Sequence, residues 1–117
     1  MANLKIAGLA AEIGATLVAA GKGLGTIDRV YAGDRISDIL NHIGPGTLIV
    51  SNLPGIQLVR LAELMDLPAM CLVGGAAAEP AVVAAAETHG TAVLVSPAGL
   101  FETCGRIYRC LQQERCT

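Results

Sequence analysis

From residue 45 onward, apolar and polar positions alternate between two periods. TLIVS (47–51) is a short run rich in β-branched residues, the signature of a strand buried on both faces. It leads into NLPGIQLVRLAELMD, where Leu58, Leu61, Ala62 and Met65 recur at helical spacing. Gln57, Arg60, Glu63 and Asp66 occupy the opposite side. The same strand-then-helix unit repeats as AMCLV (69–73) with EPAVVAAAETHG, and as AVLVS (92–96) with GLFETCGRIYRCLQQER. Three apolar strands, each followed by a helix, predict an α/β fold: a compact three-layer domain whose mostly parallel sheet carries helices on both faces. Its crossovers are expected to be right-handed.

The first third is less regular. LKIAGLAAEIG reads as a helix with Leu4, Ala7, Gly8 and Ala11 on one stripe. ATLVAAG and IDRVYAG read as strands on either side of the glycine-rich turn KGLGT. Ser37 is placed to cap a short helix, SDILNHIG, which Gly44 and Pro45 stop.

Length and composition narrow the picture. The 117 residues suit one domain. Hydrophobic residues make up 53% of the chain and charged residues only 15%, where about a quarter charged is usual. A sheet buried on both faces absorbs part of that excess, and a surface shared with a second copy or a partner absorbs the rest. A net charge of −2 gives no electrostatic case for nucleic acid or anionic lipid. An aromatic content of 3% argues against base stacking. Glu12 and Gly14 interrupt the apolar N-terminal run, so no secretory h-region forms, and no stretch reaches the roughly 18 apolar residues of a membrane span. These features predict a cytoplasmic protein with reduced thiols.

No familiar catalytic constellation is present. PAMCLVGGAAAEP (68–80) ends an apolar run in two glycines, but it lacks the G-x-G-x-x-G spacing of a dinucleotide loop. Glu79 stands at the positive end of the next helix, where it repels a phosphate, and Pro80 removes an amide. The pair therefore reads as a turn. GKGLGT (21–26) fails as a phosphate loop, because Thr16 stands where the leading glycine belongs and Gly23 where Ser or Thr is required. Cys104, Cys110 and Cys116 are six apart, a rotation of about 240° per step on a helix. They share no face, and no metal site is expected. Cys71 reads as a small buried hydrophobe. His42 and His89 each lie near a helix C-terminus, where a cation is favoured. Asp34 with His42 is the one pair to check for acid–base chemistry.

Ligands of open α/β sheets bind at the carboxyl ends of the strands. Asp34, Ser51, Gly74, Gly75 and Ser96 fall at such ends, and in a doubly wound sheet they converge on one groove. Ordinary helix N-capping is the competing explanation for Ser51, Asn52 and Ser96.

Several segments resemble the DRTGG-domain family. Tyr31-Ala32-Gly33-Asp34-Arg35-Ile36-Ser37-Asp38-Ile39-Leu40 is similar to the family's Y-x-S-D-x-x-S-D-V-M opening. Leu72-Val73-Gly74-Gly75 is similar to its apolar strand with a Gly-Gly end. Val95-Ser96-Pro97, followed by Phe101-Glu102-Thr103-Cys104-Gly105-Arg106, resembles its T-P-x-x-x-F-E-x-x-G-R ending. The resemblance spans nearly the whole chain and implies a single DRTGG-like domain over residues 1–117, similar to the N-terminal domain of HPr kinase/phosphorylase. Similar domains sit in some phosphotransacetylases and in pyrophosphatases that carry CBS domains, where they are regulatory or dimer-forming and lie beside adenine-nucleotide sites. Stand-alone versions are encoded near hydrogenase and NADH-oxidising subunits. The resemblance thus implies a non-catalytic, cofactor-free homodimeric module with a protein partner in a redox complex, or a sensor of an adenine nucleotide. Kinase activity is not expected, because the phosphate loop is missing. Two departures stand out. The family's multidomain members place a charged Gly-Asp-Arg type segment where this chain has Ser51-Asn52-Leu53-Pro54-Gly55, and its C-terminal cysteines are not a family feature.

Overall fold

The structure is a computed structural model that describes residues 3–22, 25–75 and 77–113. Five strands form the main sheet in the order β2-β7-β6-β5-β4, with β2 at Thr16–Ala20, β4 at Arg29–Ala32, β5 at Thr47–Ser51, β6 at Ala69–Leu72 and β7 at Ala92–Val95. Strands β4 to β7 are parallel neighbours, and β2 joins β7 antiparallel with a register shift between Leu17 and Ala19. A two-residue ribbon, β1 (Leu4–Lys5) with β3 (Thr26–Ile27), lies apart from this sheet. The helices are α1 (Ile6–Ile13), α2 (Ile36–His42), α3 (Gly55–Met65), α4 (Pro80–His89) and α5 (Leu100–Gln113). The expected α/β class, with a mostly parallel sheet between two helical layers, is the one observed.

Each central strand contributes to both layers because its side chains alternate. Leu48 and Val50, Ala69 and Cys71, and Ala92 and Leu94 face the cluster of α1 and α5. Ile49, Met70, Leu72 and Val93 face the cluster of α2, α3 and α4. All of β5 and β6 is buried, which is why these strands read as unbroken apolar runs. Fully burying one such aliphatic side chain contributes about 1.5–3 kcal/mol.

The winding differs from a doubly wound sheet. Strands β4, β5, β6 and β7 are added in one direction, and the three helices between them all pack on one face. That placement follows when successive crossovers share one hand. The strand order therefore never reverses within the parallel part, and no crevice opens at a reversal. The end-of-strand residues form a row of separate joints rather than one converging groove.

The N-terminal stripe also differs from expectation. Leu4 pairs with Ile27 in the ribbon, so α1 begins two residues later. Its buried face is Ile6, Leu9, Ala10 and Ile13, because Ile6, Leu9 and Ile13 gain more from burial than Ala7, Gly8 and Ala11 do. IDRVYAG is likewise split at Asp28, whose N–H donates to the Gly46 carbonyl at 2.9 Å. Helix α2 starts at Ile36 with Arg35 in the capping position, so Ser37 lies inside the helix and does not cap it. No helix among the described residues is long and apolar enough to cross a membrane.

Candidate functional site

The carboxyl edge of the sheet is a row of four joints, following β4, β5, β6 and β7. Neighbouring joints are stitched together in pairs.

The first stitch is a carboxylate. Asp34, just past β4, accepts hydrogen bonds from the Ser51 hydroxyl at 3.0 Å and the Asn52 N–H at 2.8 Å, both on Oδ1. The Asn52 side-chain amide donates to Oδ2 at 3.3 Å. Ser51 in turn accepts from the Leu53 N–H at 3.1 Å. The parallel register that sets Val50 opposite Ala32 brings these two loops together. The uncharged joint Ser51–Gly55 thus receives its charge from the adjacent strand. The Asn52 backbone N–H is the main force holding the Asp34 carboxyl below its ordinary range; desolvation opposes it, and the Asn52 and Ser51 side chains assist.

The second stitch is made of backbone. Gly74 and Gly75 both adopt the left-handed conformation, with φ of 76° and 75°. Only glycine enters that region at no steric cost. Their N–H groups donate to the carbonyls of Ala98 at 2.7 Å and Ser96 at 3.0 Å, in the joint after β7. Both amides are therefore engaged within the chain. The glycine pair turns the chain and ties it to its neighbour, as the turn reading required. Ser96 is buried and its hydroxyl shares a 2.7 Å hydrogen bond with Thr103, while accepting from the Ala98 N–H at 3.3 Å.

Of the five residues singled out in sequence, Asp34 is bonded to Ser51 and Gly75 to Ser96, so two pairs form rather than one cluster. N-capping does not account for the serines. The capping position of α3 is Pro54, and α5 starts at Leu100, four residues past Ser96.

Between the two stitches, at the ends of β5 and β6, lies a groove of about 230 Å³. Ser51, Asn52, Leu72, Val73, Ala77 and Glu79 are among the residues that line it. The Glu79 carboxylate at the start of α4 makes this an unfavourable place for a phosphate. Ligand pockets for drug-sized molecules start at about 300 Å³, so the groove matches a single ring or a small moiety.

The other sequence candidates are kept apart. The Nδ1 of His42 lies 2.7 Å from the Asp38 carbonyl, and its ring stacks on Tyr31 with centroids 4.8 Å apart. His42 makes no hydrogen bond to Asp34, so that acid–base pair does not form. His89 binds the Asp66 carboxylate at 3.1 Å rather than its own helix end. This pair, with Lys22, borders a second cavity of about 170 Å³ at the amino edge of the sheet. Sequence reasoning missed the pairing, although Asp66 and His89 close equivalent helices in successive strand–helix units. Burial pushes the Cys71 thiol up to about 12, with the nearby Cys104 adding to it, and burial also raises Cys104. Thiols held protonated in this way are poor nucleophiles at neutral pH. Among the described residues, no three His, Cys, Asp or Glu side chains come together as a metal site. Gly23 of the glycine-rich turn and Cys116 lie outside the described residues.

No family model matches the chain, and no curated protein matches its sequence. Solved structures do match its fold. One is the crystal structure of the CBS and DRTGG domains of the regulatory region of Clostridium perfringens pyrophosphatase, complexed with its activator diadenosine tetraphosphate. It superposes with a TM-score of 0.73 at 12% identity, covering 89% of this chain and 46% of that one. At this identity the likeness is one of fold. It supports a DRTGG-like architecture without assigning the chain to a family.

Proposed function

We propose that the chain is a non-catalytic regulatory or assembly module that works as a homodimer. The observation that carries this reading is the likeness of fold, over 89% of the chain, to a regulatory region. The site is consistent with it. The polar groups at the carboxyl edge spend their hydrogen bonds on holding joints together, and the thiols of Cys71 and Cys104 are shifted away from reactivity. The exposed aliphatic side chains, including Leu64 at 73% exposure, supply surface for association. The proposal treats residues 1–117 as one DRTGG-like domain working in the cytoplasm. A partner in a hydrogenase or NADH-oxidising complex belongs to the same proposal and rests on the family resemblance.

A second reading is favoured by the groove between the two stitches. There the module senses an adenine nucleotide, with the base in the groove and the phosphates directed away from Glu79. Asp34 and Ser51 would hold one wall, and the Gly74–Gly75 and Ser96 stitch would hold the joint beyond it. The activator in the neighbouring structure is an adenine dinucleotide, which motivates the choice of ligands.

Thermal shift with AMP, ADP, ATP, NADH and diadenosine polyphosphates, run beside light scattering, separates the readings. A ligand at a hundred times its dissociation constant stabilises by about 2.7 kcal/mol, a rise on the order of 10 °C for a domain of this size. A saturable rise with one nucleotide supports the sensor. A flat panel with a dimeric mass supports the assembly module. A flat panel with a monomeric mass overturns the homodimer.

A further inference from the structure

We infer that the groove between α2 and α3 is the surface on which a second copy of this chain docks, with Leu64 at its centre and reciprocal Arg60–Glu63 pairs at its rim. The inference rests on the homodimer reading above and adds the residues that would make it.

Four large aliphatic side chains stay exposed on these two helices: Ile36 and Leu40 on α2, and Ile56 and Leu64 on α3. Ile36, Gln57, Arg60, Leu61 and Leu64 line a shallow depression of about 240 Å³. Exposed apolar surface of this kind, rimmed by polar groups, marks association sites. Arg60 lines this depression, and Glu63 flanks it from the α4 side of α3; the two charges are self-complementary. Arg60 and Glu63 are both exposed on the outer face of α3, and neither has an ion-pair partner among the described residues. Arg35 and Asp38, beside Ile36 in sequence and at the start of α2, already pair with each other at 3.7 Å.

A two-fold axis that sets the two α3 helices antiparallel places Arg60 opposite the partner's Glu63, and symmetry repeats the pair. At 100° per residue, Leu64 lies to one side of that pair, toward α2. A two-fold keeps the same side for both copies, so the two Leu64 side chains meet beside the two Ile36 side chains. The apolar excess and the unpaired charges are thus satisfied by one operation. The other conspicuous exposed patch, Phe101 and Tyr108 on α5, lacks this feature. Its neighbours Glu102 and Arg106 already pair at 2.9 Å, and Arg106 also donates to the Ile13 carbonyl.

The test is sedimentation of the full chain over a range of concentrations. Wild type should be a dimer. Leu64→Asp, an exposed site whose substitution leaves the core intact, should raise the dimer dissociation constant by roughly thirtyfold or more. Arg60→Glu and Glu63→Arg should each raise it about fivefold, and the double swap should return it toward wild type, because the pair reforms across the axis. A monomeric wild type overturns the homodimer itself. A dimeric wild type that ignores Leu64→Asp, or single swaps that the double swap does not rescue, overturns this face and leaves dimerisation by another.

Discussion

The two stitches at the carboxyl edge do the same job with different chemistry. After β4 and β5, a side-chain carboxylate gathers three donors from the next loop. After β6 and β7, two left-handed glycines turn their backbone amides onto the carbonyls of the next loop. The first arrangement depends on a charge, and so on proton concentration. The second depends on backbone conformation, and so on the absence of a side chain. The groove between them is lined by Ser51 and Asn52 of the first stitch and by Leu72 and Val73, which lead into the second.

Substitution should expose the difference, and the glycine joint should show the larger effect. A Cβ at Gly74 meets nothing within 4 Å, and one at Gly75 meets only the Pro97 carbonyl at 3.8 Å. Alanine at either position therefore incurs the left-handed backbone penalty without a clash, about 1 kcal/mol each. The double variant Gly74→Ala, Gly75→Ala should lose about 2 kcal/mol, seen as a fall in Tm on the order of 8 °C. Gly75→Asn should lose less, since asparagine tolerates this conformation. Equal losses for Ala and Asn would mean that something other than backbone conformation holds the joint. Next in size is Asp34→Ala, which strips the first stitch of its acceptor. The carboxylate is exposed, so solvent replaces much of what is lost, and the expected change is about 1 kcal/mol. A change as large as the double glycine variant's would reverse the ranking of the two joints.

The same contrast explains what was readable in the sequence. Strands β5, β6 and β7 were legible because they are buried on both faces, and burial leaves an unbroken apolar run whatever the neighbours are. The β1–β3 ribbon was not, because two residues carry no period and Leu4 becomes a strand residue only through Ile27, far along the chain. At the site, α/β logic places Asp34, Ser51, Gly74, Gly75 and Ser96 at strand ends without knowing their partners. That Asp34 reaches Asn52 depends on the β4–β5 register, which is set by the whole sheet. That the glycine amides are engaged depends on where Ala98 and Ser96 carry their carbonyls. The single direction of winding was also hidden, since a repeated strand–helix unit is the same string whether successive strands are added on one side or on both.

The smallest effect is the one that separates the stitches by mechanism. The Asp34 carboxyl is held below its ordinary range, first by the Asn52 backbone N–H. A carboxyl whose folded pKa is depressed contributes stability that is fully present above its unfolded pKa, about 3.9. That contribution is lost as pH falls through the folded value. Asp34→Asn keeps an oxygen acceptor but cannot ionise, so its Tm should run below that of wild type by a constant margin from neutral pH down to about 5. Below about pH 4 the two curves should converge as wild type takes up its proton. The Gly74→Ala, Gly75→Ala variant should keep its full offset throughout, because a backbone penalty does not titrate. Thermal melts of the three proteins across this range make the check. Parallel curves for wild type and Asp34→Asn down to pH 2 would show that the carboxylate's charge contributes nothing to the joint, leaving hydrogen-bond geometry alone to hold β4 against β5.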